Sequence, residues 1–360
     1  MTNPLPFKVI KQFILFLIPL AVIGQQNDSY TYAPEVYVCQ KMAPNEKIVV
    51  DGDINDKVWT AASWITQLVD IEGEIKPKPH HDTKISMLWD VDYLYVAAEL
   101  TEPHLWATYD THDMIVFQEN DFEVFLDPDG DTHHYGEIEI NALRTVWDLL
   151  LTKPYRDRGK PIDTWNITDI KKGVKLYGTL NDPSDRDEKW TVELAIPWSV
   201  LEELNTHDGP PKQGESWKVN FSRVQWSLDI KQNQYIKKID LQTNKPYPEY
   251  NWVWSPQGAI AMHQPETWGL VIFADKKADM TTYIKEAKAN EKIKWELRQL
   301  YYQQNAFYLK HGMYTTNLKS DVSKSKMDIK VTGDTYTIRY CEGQRCFYIR
   351  EDGRVWQSKK

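Results

Sequence analysis

Cysteine is scarce, three in 360 residues, so the fold does not rest on a disulfide framework. Cys341 and Cys346 flank Glu-Gly-Gln-Arg and form a candidate hairpin disulfide, with two half-buried thiols as the competing reading; Cys39 is left over. Membrane-length apolar runs are lacking as well. Residues 13–23 are apolar but interrupted by Pro19, and they follow Lys8 and Lys11 and precede Gly24. That is the order of a secretory signal and too short for a bilayer span. Residues 1–24 are therefore expected to direct export to the periplasm, cell surface or medium and to be removed near Gly24. No cysteine follows closely enough to carry a lipid. No GxSxG and no reactive-cysteine context occur, which removes the commonest acyl-transfer signatures. Residues 25–275 carry a net charge of −19, which excludes a phosphate backbone as a natural partner. Residues 276–360 carry +8, with 18 Lys and Arg against 10 Asp and Glu. That segment reads either as a solvated helix or as a basic element docked on an acidic surface.

Aromatic residues, in contrast, are abundant. Fifteen Trp and twenty Tyr exceed what a core of this size needs, so some are expected to face solvent or ligand. Residues 120–151 hold three strand-like runs, 121–126, 135–143 and 145–151. In the first two, Phe122, Val124, Leu126, Ile138 and Ile140 alternate with Asp121, Glu123, Phe125, Glu137, Glu139 and Asn141. Period two predicts strands with one wet face carrying the acids.

Sustained helical periodicity is absent between residues 45 and 275. The runs 83–89, 93–100, 174–180, 190–196, 216–226 and 268–273 read as short strands with turn signals between them. Residues 25–45 read as a polar leader, at most an edge strand. Asp53 or Asn55 is expected to cap a short helix that buries Val58 and Trp59. Pro197 opens another helix. The fold class is mainly β, an antiparallel two-sheet β-sandwich of the jelly-roll kind over residues 46–275. From 280 to 360 the pattern becomes one helix with Ile293, Leu297, Leu300, Tyr301 and Phe307 on one face, then three strands, a small α+β appendage.

Five pieces in order, IVVDGDINDKVWTAASW, KISMLWDVDYLYVAAEL, NDFEVFLDPDG with EIEINALRTVWD, KWTVELAIPW and PETWGLVIF, together resemble carbohydrate-binding module family 9 and its DOMON-like relatives. The resemblance implies a sandwich that holds a sugar between two loop aromatics, with calcium as structural support. One ring would precede the 121–126 strand, where Trp106 is best placed. For the other, Trp252 and Trp254 compete, one expected to face in and one out. Asn141 and Arg144 fall where the family places hydrogen-bonding residues. Asp127, Asp129 and Asp131 are candidate calcium ligands, against a solvated acidic turn.

These residues also carry competing readings. Trp106 could equally cover the sandwich rim, and Arg144 could pair with Glu137 or Asp148. Trp59, Trp89, Trp190 and Trp268 are assigned to the core. The acids Asp121, Glu123, Glu137 and Glu139 admit a glycan hydrolase or lyase, but they read first as the wet face of a sheet. Met87, Met262 and His263 admit a haem-binding domain, although no haem or nucleotide is expected. His133 and His134, adjacent on a strand, do not share a metal. The resulting expectation is an exported, non-catalytic protein that binds carbohydrate.

Overall fold

The computed structural model describes residues 32–275, 278–319 and 327–359; the expected export signal lies outside them. No described helix is long and apolar enough to cross a membrane.

Thirteen strands form one hydrogen-bonded sheet. One arm runs Pro161–Ile162, Val146–Leu151, Tyr135–Asn141, Asp121–Asp127, Ser216–Gln225 and Gly269–Ala274; the other runs Thr83–Trp89, Tyr93–Thr101, Lys189–Pro197 and Lys171–Tyr177. Val36–Lys41 joins them. It lies parallel to Gly269–Ala274 over five residue pairs but shares only two with Thr83–Trp89. The arms part at that weak seam and close over a common core. Phe122, Val124, Leu126, Ile138 and Ile140 of one arm meet Leu94, Val96, Ala98, Val192 and Leu194 of the other in one cluster. That is the two-layer β arrangement expected of alternating strands.

The expected hairpin at residues 83–100 is present, closed by Asp90, whose Oδ1 accepts the Asp92 and Tyr93 N–H groups at 2.8 Å each. The expected pair is present, but its first strand runs Lys171–Tyr177, three residues earlier than the 174–180 expected, against Lys189–Pro197. Trp59, Trp89, Trp190 and Trp268 are all buried. Two expectations need correction. The polar leader contains the central joining strand, because Tyr37 and Cys39 alternate inward into the core. Helix Lys57–Ala61 buries Val58 and Trp59, but it begins after Asp56 without a side-chain cap.

Beyond residue 280 a second core forms. Helix Thr281–His311 lays Leu297, Leu300 and Tyr301 against Tyr336, Ile338, Phe347 and Ile349 of a four-stranded sheet. That sheet is Met327–Thr332, Thr335–Glu342, Arg345–Arg350 and Val355–Lys359, one strand more than the sequence pattern predicts. Cys341 and Cys346 face each other across its central hairpin and are disulfide-bonded. Helix and sandwich meet apolar to apolar, Met280 and Ala287 against Leu270 and Ile272. Beside this contact lies a network of charges.

Candidate functional site

The loop between Tyr93–Thr101 and Asp121–Asp127 is tied down by side chains from four directions. Asp187 accepts the Leu105 N–H at 2.7 Å, and Asn181 brackets Ala107 through its N–H (3.1 Å) and C=O (2.8 Å). Glu119 takes the N–H groups of Thr108 and Tyr109 at 2.8 and 3.0 Å. Asn141 Nδ2 donates to the Tyr109 carbonyl at 2.8 Å. Leu105 and Ala107 enter the core while Trp106, between them, stays half-buried. Ten of the fifteen tryptophans are buried. Of the five partly exposed, Trp64, Trp147, Trp295 and Trp356 each pack against another aromatic ring. Trp106 has no such ring among the described residues.

The other ring candidates lie elsewhere. Trp252 is 1% exposed, covered by His80 edge-on at 4.7 Å and by Tyr250, with the Arg223 guanidinium 5.4 Å from its ring. Trp254 is 6% exposed and packs on Phe221; a Cβ at Gly269 would meet its ring at 2.5 Å. The expectation of one ring in and one out is therefore corrected. Residues two apart in extended chain share a face, and both indoles are interior. Asn141 is fully buried: its Oδ1 accepts the Leu143 and Thr145 N–H groups at 3.0 Å each, so it shapes a turn and positions Tyr109. Arg144 sits exposed in that turn at φ +66°, without an ion pair to Glu137, Asp148 or any other described residue.

The wet face is not wet. Asp121, Glu123, Glu137 and Glu139 are all buried, Glu123 being 4% exposed. Their face also carries Phe125, Tyr135, Leu149 and Leu151, which pack with Trp268, Trp147 and Met262, and Phe117 stacks on Trp147. One oxygen from each of Asp121, Glu123 and Glu139 lies within 4.8 Å of the others. Burial and mutual repulsion hold Asp121, Glu137 and Glu139 well above the usual carboxylate range. Burial, opposed by the Ser222 hydroxyl and reinforced by Glu249, holds Glu123 up at about 7. The sequence does carry a signal for this chamber. Large apolar residues at 125, 135, 149 and 151 share the acids' parity, and such a face needs a cover.

Asp127, Asp129 and Asp131 also converge within 4.8 Å, but their oxygens are engaged. Asp127 accepts the Gly130 and Thr132 N–H groups at 3.1 and 3.0 Å, and Asp131 accepts His133 N–H at 2.7 Å. Arg354 Nε reaches Asp131 at 2.6 Å, and Lys294 Nζ donates to the Gly130 carbonyl at 3.1 Å. A calcium ion needs six to eight oxygens. A turn whose carboxylates already hold backbone N–H groups and a guanidinium does not fit that demand.

The same region explains the loop at 153–168. Arg156 pairs with Glu266 through two nitrogens, at 2.6 and 2.9 Å, while Tyr302 of the helix donates to Glu266 and Tyr301 to Asp157. The appendage thus docks on acids of the sandwich, with Tyr301 and Tyr302 on Asp157 and Glu266 and with Arg354 on Asp131. Of the haem candidates, Met87 is in the core, Met262 Sδ accepts from Gln257 at 3.0 Å, and His263 Nδ1 meets Tyr135 Oη at 3.1 Å.

Residues 50–220 match the sequence model of the family described as carbohydrate family 9 binding domain-like. Exoglucanase XynX of Acetivibrio thermocellus is 25% identical over 157 residues, 44% of this chain but only 12% of the enzyme. Among solved structures, a family 9 carbohydrate-binding module from Caldicellulosiruptor kristjanssonii is similar in complex with cellotriose (TM-score 0.42, 69% of this chain and 97% of that one) and with glucose (0.43, 69% and 100%). A putative carbohydrate-binding protein from Bacteroides uniformis gives 0.47 over 67% and 100%. All three are 15% identical to the chain.

Proposed function

We propose that the sandwich, whose residues 50–220 match the family model described as carbohydrate family 9 binding domain-like, binds carbohydrate, without cleaving it, after export. The observation that carries this reading is Trp106, a half-exposed indole in a pre-ordered loop with no aromatic partner of its own among the described residues. An unpartnered indole face suits the C–H face of a pyranose ring, and a loop ordered before binding loses little freedom when the ligand arrives. Arg144, exposed on a neighbouring turn, offers a planar donor to hydroxyls. Asn141 acts indirectly, by fixing the Tyr109 end of the loop.

Calorimetry against a broad glycan panel tests the reading. The chain should bind at least one glycan, and Trp106→Ala should weaken that binding roughly tenfold with the thermal midpoint unchanged. Absence of binding to every glycan, or equal binding by the variant, refutes it. Shortening of the glycans over time would put a hydrolase in its place.

A further inference from the structure

We propose that the outer face of the appendage sheet is a second binding surface, for an extended neutral glycan chain. It lies beyond residues 50–220, the segment that matches the family model, and it uses none of the side chains assigned to the Trp106 loop.

The first ground is register. Pairing across the four strands sets Asp328, Arg339, Tyr348 and Trp356 side by side in one row. Alternation puts that row on the face opposite to Tyr336, Ile338, Phe347 and Ile349, which pack under the helix. With strands about 4.8 Å apart, four side chains abreast span about 14 Å, room for more than one sugar ring. The disulfide between Cys341 and Cys346 ties together the two middle strands that carry Arg339 and Tyr348. The surface is therefore held in shape before any ligand arrives.

The second ground is aromatic. Tyr348 and Trp356 stack at 5.1 Å with their planes 6° apart, and both stay half-buried. Each ring covers one face of its neighbour and keeps the other. Trp356 stands on the last strand of the sheet, so no strand lies beside its free face. A cross-strand pair of this kind steadies a sheet, and its outer indole face also suits the C–H face of a pyranose.

The third ground is the balance of charge. Arg339, 49% exposed, lies 3.4 Å from Asp328, and in the next row Arg350 reaches Asp352 through two nitrogens at 2.8 and 2.6 Å. Ser358 Oγ donates to Tyr348 Oη at 3.4 Å. Planar donors and carboxylate acceptors thus stand together beside the rings, as hydroxyls that both donate and accept require. Among the described residues of these two rows, Lys330 alone is a cation without an ion pair. A polyanion would call for a run of unmatched cations. Matched charges beside aromatic rings complement a neutral chain instead.

The test is calorimetry of the full chain carrying Trp106→Ala, which silences the loop, against soluble β-glucan, xylan, mannan and a polyuronate. At least one neutral polysaccharide should still bind, equally in low and high salt, and adding Trp356→Ala should weaken that binding roughly tenfold. Arg339→Ala should weaken it roughly threefold; that side chain lies outside the core, so the proposal stays falsifiable if the Trp356 variant fails to fold. No binding by the Trp106→Ala chain, or binding that neither further substitution changes, overturns the proposal. Binding confined to the polyuronate and lost in high salt also overturns it, making the face a polyanion surface. So does a dimer in sedimentation that Arg339→Ala or Trp356→Ala dissolves, because a second copy then covers the face. In a chain that keeps Trp106, Trp356→Ala should leave the binding of short oligosaccharides intact, so this proposal and the Trp106 reading fail in different variants.

Discussion

Strand Asp121–Asp127 begins in one acidic cluster and ends in another. At its far end Asp127 shares a turn with Asp129 and Asp131, and the C-terminal appendage brings Lys294 and Arg354 to that turn. Arg298, from the same helix, bonds Thr132 Oγ1 at 3.2 Å and the Gly353 carbonyl at 2.7 Å. At its near end Asp121 and Glu123 join Glu137 and Glu139, and among the described residues no Lys or Arg forms an ion pair with them. A charge density that is served at one end and unserved at the other has different consequences for stability. The served acids should strengthen the fold when ionised, whereas the unserved ones should weaken it until something positive arrives.

The largest expected effect lies on the served side, in the buried pair of Arg156 and Glu266. Arg156→Met should cost about 4 kcal/mol in urea unfolding, since it strands a buried carboxylate. Adding Glu266→Leu to that variant should restore most of the loss, because removing both charges leaves nothing uncompensated. If the double variant stays as unstable as the single one, packing rather than charge holds this contact.

Acid should expose the same contrast at slightly smaller size. Burial alone would raise the Glu266 pKa, but Arg156, Arg298 and Tyr302 hold it down at about 2. The folded value lies below the unfolded one, so the stabilisation is complete above the unfolded pKa near 4.5 and is lost as pH falls towards 2. It amounts to about 3 kcal/mol. Urea midpoints taken between pH 6 and pH 2.5 should fall accordingly, and Glu266→Gln should flatten that fall.

How much of this the sequence discloses depends on the distance over which each fact is decided. Alternation at 121–126 and 135–141 is local, and it correctly separates Phe122, Val124 and Ile138 from the acids. Whether the acids' side is wet depends on Trp268 and Met262, more than a hundred residues away, so parity alone cannot decide it. The same holds for the ring candidates. The partial exposure of Trp106 is legible because its immediate neighbours Leu105 and Ala107 turn inward, while Trp252 and Trp254 are covered by His80 and by the Gly269 strand, neither of which is local. The leader is the least legible part. A short strand parallel to both its neighbours carries no hairpin turn, and its place is fixed by register with residues 270–274.

The smallest expected effects are the sharpest comparison, because one kind of substitution should change sign between the two ends of one strand region. Asp131→Asn removes the partner of Arg354, a partly exposed guanidinium at 2.6 Å, and should destabilise by about 1 kcal/mol. Asp121→Asn should instead stabilise by about 1–2 kcal/mol in EDTA. It removes a buried acid that repels Glu123 and Glu139, and its amide can donate to them. Neither change alters shape, so cavity effects do not enter. If both substitutions destabilise in EDTA, the near-end acids already have the compensation that the far-end acids receive from the appendage, and the two clusters do not differ in the way argued.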